Sequence, residues 1–269
     1  MSFNADLLKP TASFWDAAAE TYEHRFTGTT VGQIRRQAVW QELERIFKPG
    51  HHILELNCGT GLDAVFLGNK GVKVEAFDIS PRMIELAQEH SNCVRPATPP
   101  SFRVLPTEHL GTLTEGPFDG AFSNFSGLNC VEDLSEVRKN LARLLKPGSR
   151  FLLCMMGRFV PVEMLWFLAH GQPKRAFARM LNESGSYHED TRLKVQRPTV
   201  SGIRAQMSPS FRLVRWKGAG ITVPPSYAES FAVRFPGLIR ALARFDRRAG
   251  ALPVIRSMAD CVILEFERS

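Results

Sequence analysis

The segment from Ile53 to Asp63 constrains the fold more than any other part of the sequence. It reads ILELNCGTGLD, which is an apolar stretch typical of a buried strand, a turn with two glycines and the start of a helix. Gly59 and Gly61 supply the positive φ angles that such a turn requires, and a glycine also lets a ligand approach the backbone closely. A strand that runs through a glycine turn into a helix is typical of an α/β protein with a parallel sheet.

Strand and helix patterns alternate on both sides of this turn. Short apolar or alternating segments predict five strands, at 52–56, 72–77, 101–105, 120–124 and 150–156. After Gly157 helical segments dominate, and two closing strands are predicted at 211–217 and 260–268. We therefore predict an α/β fold, a Rossmann-like, doubly wound and mostly parallel seven-stranded sheet, with helical insertions in the C-terminal half.

The sequence shows no mark of a membrane-spanning or disulfide-stabilised protein. No apolar run reaches the roughly 18 residues that a bilayer requires, and no basic segment followed by an apolar one stands at the start. The cysteines form no C-x-x-C pair, which argues against a zinc site and a disulfide framework; they are Cys58, Cys93, Cys130, Cys154 and Cys261. We expect a cytoplasmic protein without a bound metal.

Asp78 indicates that the ligand of the glycine turn contains a ribose. It lies seventeen residues after Gly61 at the end of the second predicted strand, where a carboxylate can accept hydrogen bonds from ribose hydroxyls. A dinucleotide enzyme has a similar pattern, and Gly59-x-Gly61-x-x-Ala64 fits its looser form. Glu55 argues against that alternative, because a pyrophosphate gains nothing from a further negative charge beside it.

Three more segments complete a known pattern. The matching pieces are Glu55-Leu-Asn-Cys-Gly-Thr-Gly61, Asp78-Ile-Ser-Pro-Arg-Met83, Phe118-Asp-Gly-Ala-Phe-Ser-Asn124, and Phe14-Trp15-Asp16 with Tyr22. In order and spacing they resemble the class I S-adenosylmethionine (SAM)-dependent methyltransferases, of the type 11/25 kind. The resemblance runs from about Phe14 to Leu153 and returns at the final strands. It implies SAM as cofactor and S-adenosylhomocysteine as product, with no metal.

The resemblance also implies a role for individual residues. The glycine loop would hold the methionine part of SAM, Asp78 its ribose, and Thr107-Glu108 would lie near the adenine amine. The cofactor-binding residues implied are Tyr22, Glu55, Asn57, Cys58, Gly59, Thr60, Gly61, Asp78, Ile79, Met83, Thr107, Glu108, Asn124 and Phe125. Many relatives carry an acidic residue where Pro106 falls, so the adenine loop departs from the family.

The acceptor of the methyl group has no motif of its own. Enzymes that methylate nucleobase amino groups carry Asn/Asp-Pro-Pro-aromatic where this chain has Ser123-Asn124-Phe125-Ser126, so a nucleic acid is not expected. Tyr187 and His188 are the candidates for a general base, against the alternative of a solvated turn. We expect transfer to oxygen or nitrogen of a small-molecule or lipid-like acceptor. The alternative is a non-catalytic SAM-binding regulatory or partner protein.

Charge divides the chain into two unequal parts. Residues 1–157 hold 16 Lys/Arg against 18 Asp/Glu, whereas residues 158–269 hold 18 against 9. We expect one domain over 1–269, with a SAM-binding core at 14–157 and insertions at 158–210 and 225–258 on the acceptor side. The basic face of 226–248 is either a solvated helix surface or a cap. Such a cap would attract an apolar, anionic acceptor or rest on an acidic lipid surface without spanning it.

Overall fold

A computed structural model describes residues 9–131, 133–181 and 195–269. Its strands are β1 (His52–Leu56), β2 (Lys73–Asp78), β3 (Ser101–Val104), β4 (Phe118–Ser123), β5 (Leu145–Met156), β6 (Phe211–Ala219) and β7 (Cys261–Arg268). They form one seven-stranded sheet in the order β3-β2-β1-β4-β5-β7-β6. β7 runs antiparallel to both of its neighbours, and every other pair is parallel. The predicted fold class is confirmed.

Helices cover both faces of this sheet. They are α1 (Lys9–Tyr22), α2 (Thr30–Ile46), α3 (Leu62–Asn69), α4 (Pro81–Val94), α5 (Leu134–Leu144), α6 (Pro161–Ala169), α7 (Pro173–Phe177), α8 (Val200–Met207), α9 (Glu229–Arg234) and α10 (Pro236–Ala249). A π-helical turn, Glu23–Thr27, follows α1. α4 begins where its sequence dictates, because the Ser80 hydroxyl accepts a hydrogen bond from Met83 N at 3.0 Å and Pro81 takes the first helical position.

The hydrophobic core lies in two layers, one on each side of the sheet. β5 shows why its sequence is apolar throughout: Phe151 and Leu153 pack under α5 and α8, whereas Leu152 and Cys154 pack under α2 and α3. A strand that is covered on both faces has no solvent side on which to place polar residues. The two layers hold the carboxyl ends of β1, β2 and β4 in fixed positions at one edge.

The C-terminal insertions pack beside α2. Ile239 of α10 and Ala232 of α9 form a small apolar cluster with Val31 of α2. Glu229 accepts hydrogen bonds from Thr30 N at 2.8 Å and from the Thr30 hydroxyl at 2.6 Å, which satisfies a free donor in the first turn of α2. Within the ranges that the structure describes, no helix is both long and apolar enough to cross a membrane.

A buried ion network ties these insertions to the sheet. Asp260, just before β7, lies 2.8 Å from Arg35 of α2 and 2.8 Å from Arg179, which follows α7. Arg179 also lies 2.5 Å from Glu163 of α6. Burial alone would raise the pKa of Asp260, but the two arginines outweigh it and hold that pKa below its usual value. We call Arg35, Glu163, Arg179 and Asp260 the tether.

Candidate functional site

A pocket opens at the carboxyl ends of β1, β2 and β4. This is the point where the strand order reverses direction from β1, and such points are where open α/β sheets bind ligands. The lining residues are Trp15, Tyr22, Arg36, Asn57, Cys58, Gly59, Thr60, Asp63, Asp78, Ile79, Met83, Asn124, Phe125 and Gly127. Ten of the fourteen residues predicted to bind the cofactor are among them. Their assignment to SAM stays a prediction.

The two glycines of the loop serve different purposes. Gly59, with φ +53°, has open space where a Cβ would stand, so its bare backbone faces the pocket. Gly61, with φ +73°, does not line the pocket. It faces neighbouring side chains instead, and a Cβ there would lie 2.7 Å from Ala87 Cβ and 2.8 Å from the Phe102 ring. The missing side chain of Gly61 thus lets the loop pack against α4 and β3, and the expectation that Gly61 also admits a ligand stays a prediction.

The floor of the pocket has a strained backbone held by side-chain contacts. Asn57 (φ +57°) and Phe125 (φ +44°) have left-handed conformations that non-glycine residues rarely adopt. The Asn57 amide donates to the Thr107 hydroxyl at 3.0 Å, and its oxygen accepts from the Ser123 hydroxyl at 3.2 Å. A Cβ on Gly127 would lie 2.2 Å from Asn57 Cβ, so only glycine fits there. The surrounding structure thus fixes the shape of the floor.

Asp78 is a buried acceptor at the pocket wall. One carboxylate oxygen accepts a hydrogen bond from Gly59 N at 2.9 Å, and the other accepts from Ser80 N at 2.9 Å. Burial raises the pKa of Asp78 to about 6, against the lowering effect of these backbone donors. Each oxygen keeps a second lone pair, so the ionised group can also accept from a pair of ligand hydroxyls.

A buried polar network supports the other side of the pocket. Asp63 lies 2.6 Å from Arg36, and its two oxygens accept from Trp40 Nε1 at 2.7 Å and from the Asn124 amide at 2.6 Å. Asp63 is thus satisfied by three donors from α2 and from the residues after β4. Because Asp63 and Arg36 are paired, both charges remain at the pocket without an uncompensated burial penalty.

Glu55 is part of this buried region, but it does not line the pocket. Its side chain is 1% exposed, and Oε2 has no hydrogen-bond partner among the residues that the structure describes. Burial, together with the nearby charge of Asp63, raises the pKa of Glu55 well above its usual value. The sequence expectation placed Glu55 against the cofactor, whereas the structure places it behind the lining.

Aromatic rings close the pocket on the side of the N-terminal helices. Phe26 in the π-helical turn meets Phe125 edge to face at 4.8 Å between centroids, and the Arg36 guanidinium lies 4.7 Å from the Phe125 centroid. The Thr60 hydroxyl donates to Glu23 at 2.9 Å, which joins the glycine loop to the same turn. The π-helical turn between α1 and α2 therefore packs directly behind the pocket lining.

Several predicted residues lie elsewhere. Thr107 is buried under Asn57, and neither it nor the half-buried Glu108 lines the pocket. Tyr187 and His188 fall outside the residues that the structure describes, so they stay predictions. None of the described residues after 157 lines the pocket, and the assignment of 158–210 and 225–258 to the acceptor side also stays a prediction. In the described ranges no cluster of metal-ligating side chains occurs.

Sequence reasoning missed four lining residues: Trp15, Arg36, Asp63 and Gly127. Trp15 was part of the family pattern, although it carried no assigned role. Asp63 follows directly on the glycine loop, and this proximity is a signal that could have found it. Arg36 lies in a helix with many charged residues, and only its burial distinguishes it from a solvated arginine.

Comparison with known proteins gives a partial sequence match. A family model described as a methyltransferase domain matches residues 54–153. A ubiquinone biosynthesis O-methyltransferase of Xanthomonas campestris pv. campestris is 31% identical over 114 residues, which is 42% of this chain and 46% of that protein. The protein of that name in Xylella fastidiosa is 30% identical over 122 residues, or 45% and 48%. The matches thus span about half the length of these relatives.

Solved structures extend the similarity to most of the chain. A SAM-dependent methyltransferase from Mesorhizobium loti has a TM-score of 0.54 at 17% identity, and the match covers 86% of this chain and 98% of that one. Magnesium protoporphyrin IX methyltransferase from Synechocystis has a TM-score of 0.55 at 17% identity, with coverage of 89% and 88%. At such identities the likeness establishes a shared fold.

Proposed function

Because residues 54–153 form a methyltransferase domain of the class I SAM-dependent family, we propose that this protein transfers a methyl group from SAM to a small-molecule acceptor. The family named from the sequence pattern and its Rossmann-like fold are both confirmed. The observation that carries the proposed activity is the pocket itself, where open space over Gly59 adjoins the buried carboxylate of Asp78. When bound, SAM supplies a methyl group on a positively charged sulfur.

The residues of the pocket fit this cofactor group by group. Asp78 has free lone pairs for the two ribose hydroxyls, and Ile79 and Met83 offer apolar surface for a purine ring. Arg36 lines the pocket while it is paired with Asp63, so its guanidinium places a positive charge where it could attract a carboxylate. Gly59 lets the amino-acid part lie against the backbone. These residues would bind and orient the cofactor and exclude water.

We further propose a small-molecule or lipid-like acceptor that is apolar and has a negative group, methylated on oxygen or nitrogen. The position and charge of the basic insertions support this choice, because Ser226–Ala228 lies beside the π-helical turn Glu23–Thr27, which packs behind the pocket lining. Tyr187 and His188 remain the candidates for a base that removes the acceptor proton. A cytoplasmic site of action is part of the same proposal.

A second candidate is a non-catalytic SAM-binding partner protein. One observation favours it: the pocket lining comes from residues 15–127, and no described residue of the insertions adds a side chain. A protein that only binds SAM needs no acceptor side. Turnover distinguishes the two functions. Purified protein with isotopically labelled SAM should form S-adenosylhomocysteine when fractionated small molecules and lipids are added, whereas binding without turnover in every fraction would favour the second candidate.

The cofactor assignment is tested by titration calorimetry with SAM, S-adenosylhomocysteine and NAD. Asp78→Ala removes the proposed hydrogen bonds from the ribose of SAM to a charged carboxylate. Such bonds contribute about 1.5–3 kcal/mol to the free energy of binding, so SAM affinity should fall roughly 10- to 150-fold. Asp133→Ala is the matched control, since Asp133 caps α5 through Ser135 N at 2.8 Å and lies outside the pocket lining. Unchanged SAM affinity in Asp78→Ala, or measurable NAD binding, would contradict the assignment.

A further inference from the structure

Exposed apolar side chains are concentrated in the two insertions. Among the described residues sixteen large apolar side chains are exposed, and thirteen of them belong to 158–181 or 226–258. The most exposed are Val254 (69%), Leu165 (67%), Leu181 (66%) and Val233 (64%). Residues 9–157 contribute only Val94 and Val104 to the same set. Concentrated exposed apolar surface marks a site of contact with another body.

Every carboxylate in the described residues 158–181 and 226–258 of these insertions is turned inward. The described residues 158–181 and 226–258 contain three carboxylates, and each is bonded within the protein. Glu163 pairs with Arg179, Glu229 caps α2, and Asp246 accepts from Ile221 N at 2.9 Å. The same two ranges contain ten Lys/Arg, of which eight are exposed. The exposed charge of these two described ranges is therefore entirely positive.

Ring contacts join the two insertions into one continuous surface. Trp166 of α6 lies 6.2 Å from Phe231 of α9, and Phe231 lies 5.0 Å from Phe235. The exposed Leu165 and Val233 flank these rings in the sequence. We name residues 164–177 and 230–241 the docking patch. It contains the exposed tip 233–238, which reads VRFPGL, and the exposed turn of α6 into α7.

Basic groups border the apolar surface of this patch. The Arg175 guanidinium lies 4.6 Å from the centroid of Phe167, and that of Arg234 lies 5.8 Å from the centroid of Phe235. An arginine that covers a ring with its apolar part and keeps its charge in water suits an interface that is apolar on one side and wet on the other. Such an interface is the headgroup region of a bilayer.

We propose that the docking patch binds the surface of an anionic lipid bilayer without crossing it. Exposed leucine, valine and phenylalanine side chains would enter the boundary between headgroups and acyl chains, while the arginines meet the negative surface potential. A second copy of this surface would place positive charge against positive charge. A nucleic acid would leave the aliphatic side chains without a partner. Bilayer binding is independent of SAM, so it does not rest on the proposed activity, although it would bring a lipid-like acceptor to the protein.

Vesicle sedimentation with the full chain tests the proposal. The protein should bind vesicles of phosphatidylcholine with 30% phosphatidylglycerol and not vesicles of phosphatidylcholine alone. Arg234→Gln with Arg240→Gln should weaken binding about 10- to 30-fold at low salt, and less at high salt. Leu165→Ser with Val233→Ser should weaken it at least about 10-fold at any salt. All four side chains are exposed, so each variant should keep the melting temperature of the wild type.

The matched control is Lys139→Gln with Arg204→Gln, which removes two exposed charges from α5 and α8 on the opposite face of the sheet. Its binding should stay within about twofold of the wild type. Four results would overturn the proposal: no wild-type binding to anionic vesicles, equal losses in the control, full binding by the patch variants, or a dimer in sedimentation equilibrium that the patch variants abolish. SAM calorimetry on the patch variants reads out the proposed function separately.

Discussion

The core and the insertions use charge in opposite ways. Around the pocket, charged groups point inward, and the two carboxylates of the lining are satisfied: Asp63 has three donors, and Asp78 accepts from two backbone N–H groups. In the described parts of the insertions most arginines are exposed, Arg179 is held in the tether, and the carboxylates are turned in. A buried charge must keep its partners, because an unpaired one costs several kcal/mol. An exposed arginine carries no such constraint.

The match to the family model covers only the first of these two regions. The family model matches 54–153, where buried polar contacts fix the residue types, and it ends before the insertions begin. In the described parts of the insertions the fold depends on apolar residues that pack on α2, such as Ile239 and Ala243, and on a few inward-facing polar residues such as Glu229. Their surface is free to change without loss of the fold. We expect acceptor and surface specificity to lie in the insertions, and four experiments test this difference between the two regions.

The largest effect is expected on the free energy of unfolding when the tether is broken, because the tether joins the insertions to the core. Asp260→Ala leaves Arg35 and Arg179 buried without their shared carboxylate, so the free energy of unfolding should fall by about 3–5 kcal/mol. Urea denaturation measures it. Glu44→Ala, which breaks an exposed pair with Lys70, is the control and should cost less than about 1 kcal/mol. A loss in Asp260→Ala no greater than in this control would show that the insertions are not held through the tether.

The next largest effect concerns Gly59 and Gly61 of the core, which should differ in what an alanine substitution changes. Gly61→Ala should destabilise the fold by about 2–4 kcal/mol, because its Cβ would overlap Ala87 and Phe102 in a left-handed conformation. Gly59→Ala should cost only about 1 kcal/mol of strain, since its Cβ meets open space, yet it should weaken SAM binding at least about tenfold. Thermal unfolding and calorimetry measure the two quantities. Equal stability losses in both variants would contradict the division of roles.

A third effect concerns the pH dependence of stability through Asp78. Its folded pKa of about 6 exceeds the unfolded value of about 3.9, so its contribution to stability is greatest below pH 4 and is lost as the pH rises through about 6. Asp78→Asn removes this dependence. The stability of the variant relative to wild type should therefore rise by about 2 kcal/mol between about pH 4.5 and 7. SAM affinity of the wild type should rise over the same range. A difference that stays flat with pH would contradict the raised pKa.

The smallest effect is expected on the exposed helix α10. Arg240, Arg244 and Arg247 are exposed, so changing all three to Gln should alter stability by less than about 0.5 kcal/mol and leave SAM affinity within twofold. Methylation of an anionic acceptor should slow at low salt and recover towards wild type at high salt, because screening removes the steering effect. Normal methylation of the acceptor at low salt would show that these arginines form only a solvated helix surface.

The local features of this fold follow from residues close together in the sequence. The strand-turn-helix at 53–63, the cap at Ser80 and the alternation of strands and helices each depend on short-range propensity and periodicity. For the same reason the sequence located Gly59, Asp78 and Asn124 in one pocket, since the carboxyl ends of adjacent parallel strands lie side by side. These parts of the site could be predicted with no knowledge of packing.

Which residues are buried, and which partners they contact, depends on the tertiary structure. Gly61 is required by the close approach of Phe102, 41 positions later in the chain, and Thr107 supports Asn57 from 50 positions away. Arg36 reads as a surface charge in its helix until packing brings it against Asp63. Burial and partnership depend on contacts between segments distant in sequence, and neither propensity nor periodicity encodes them.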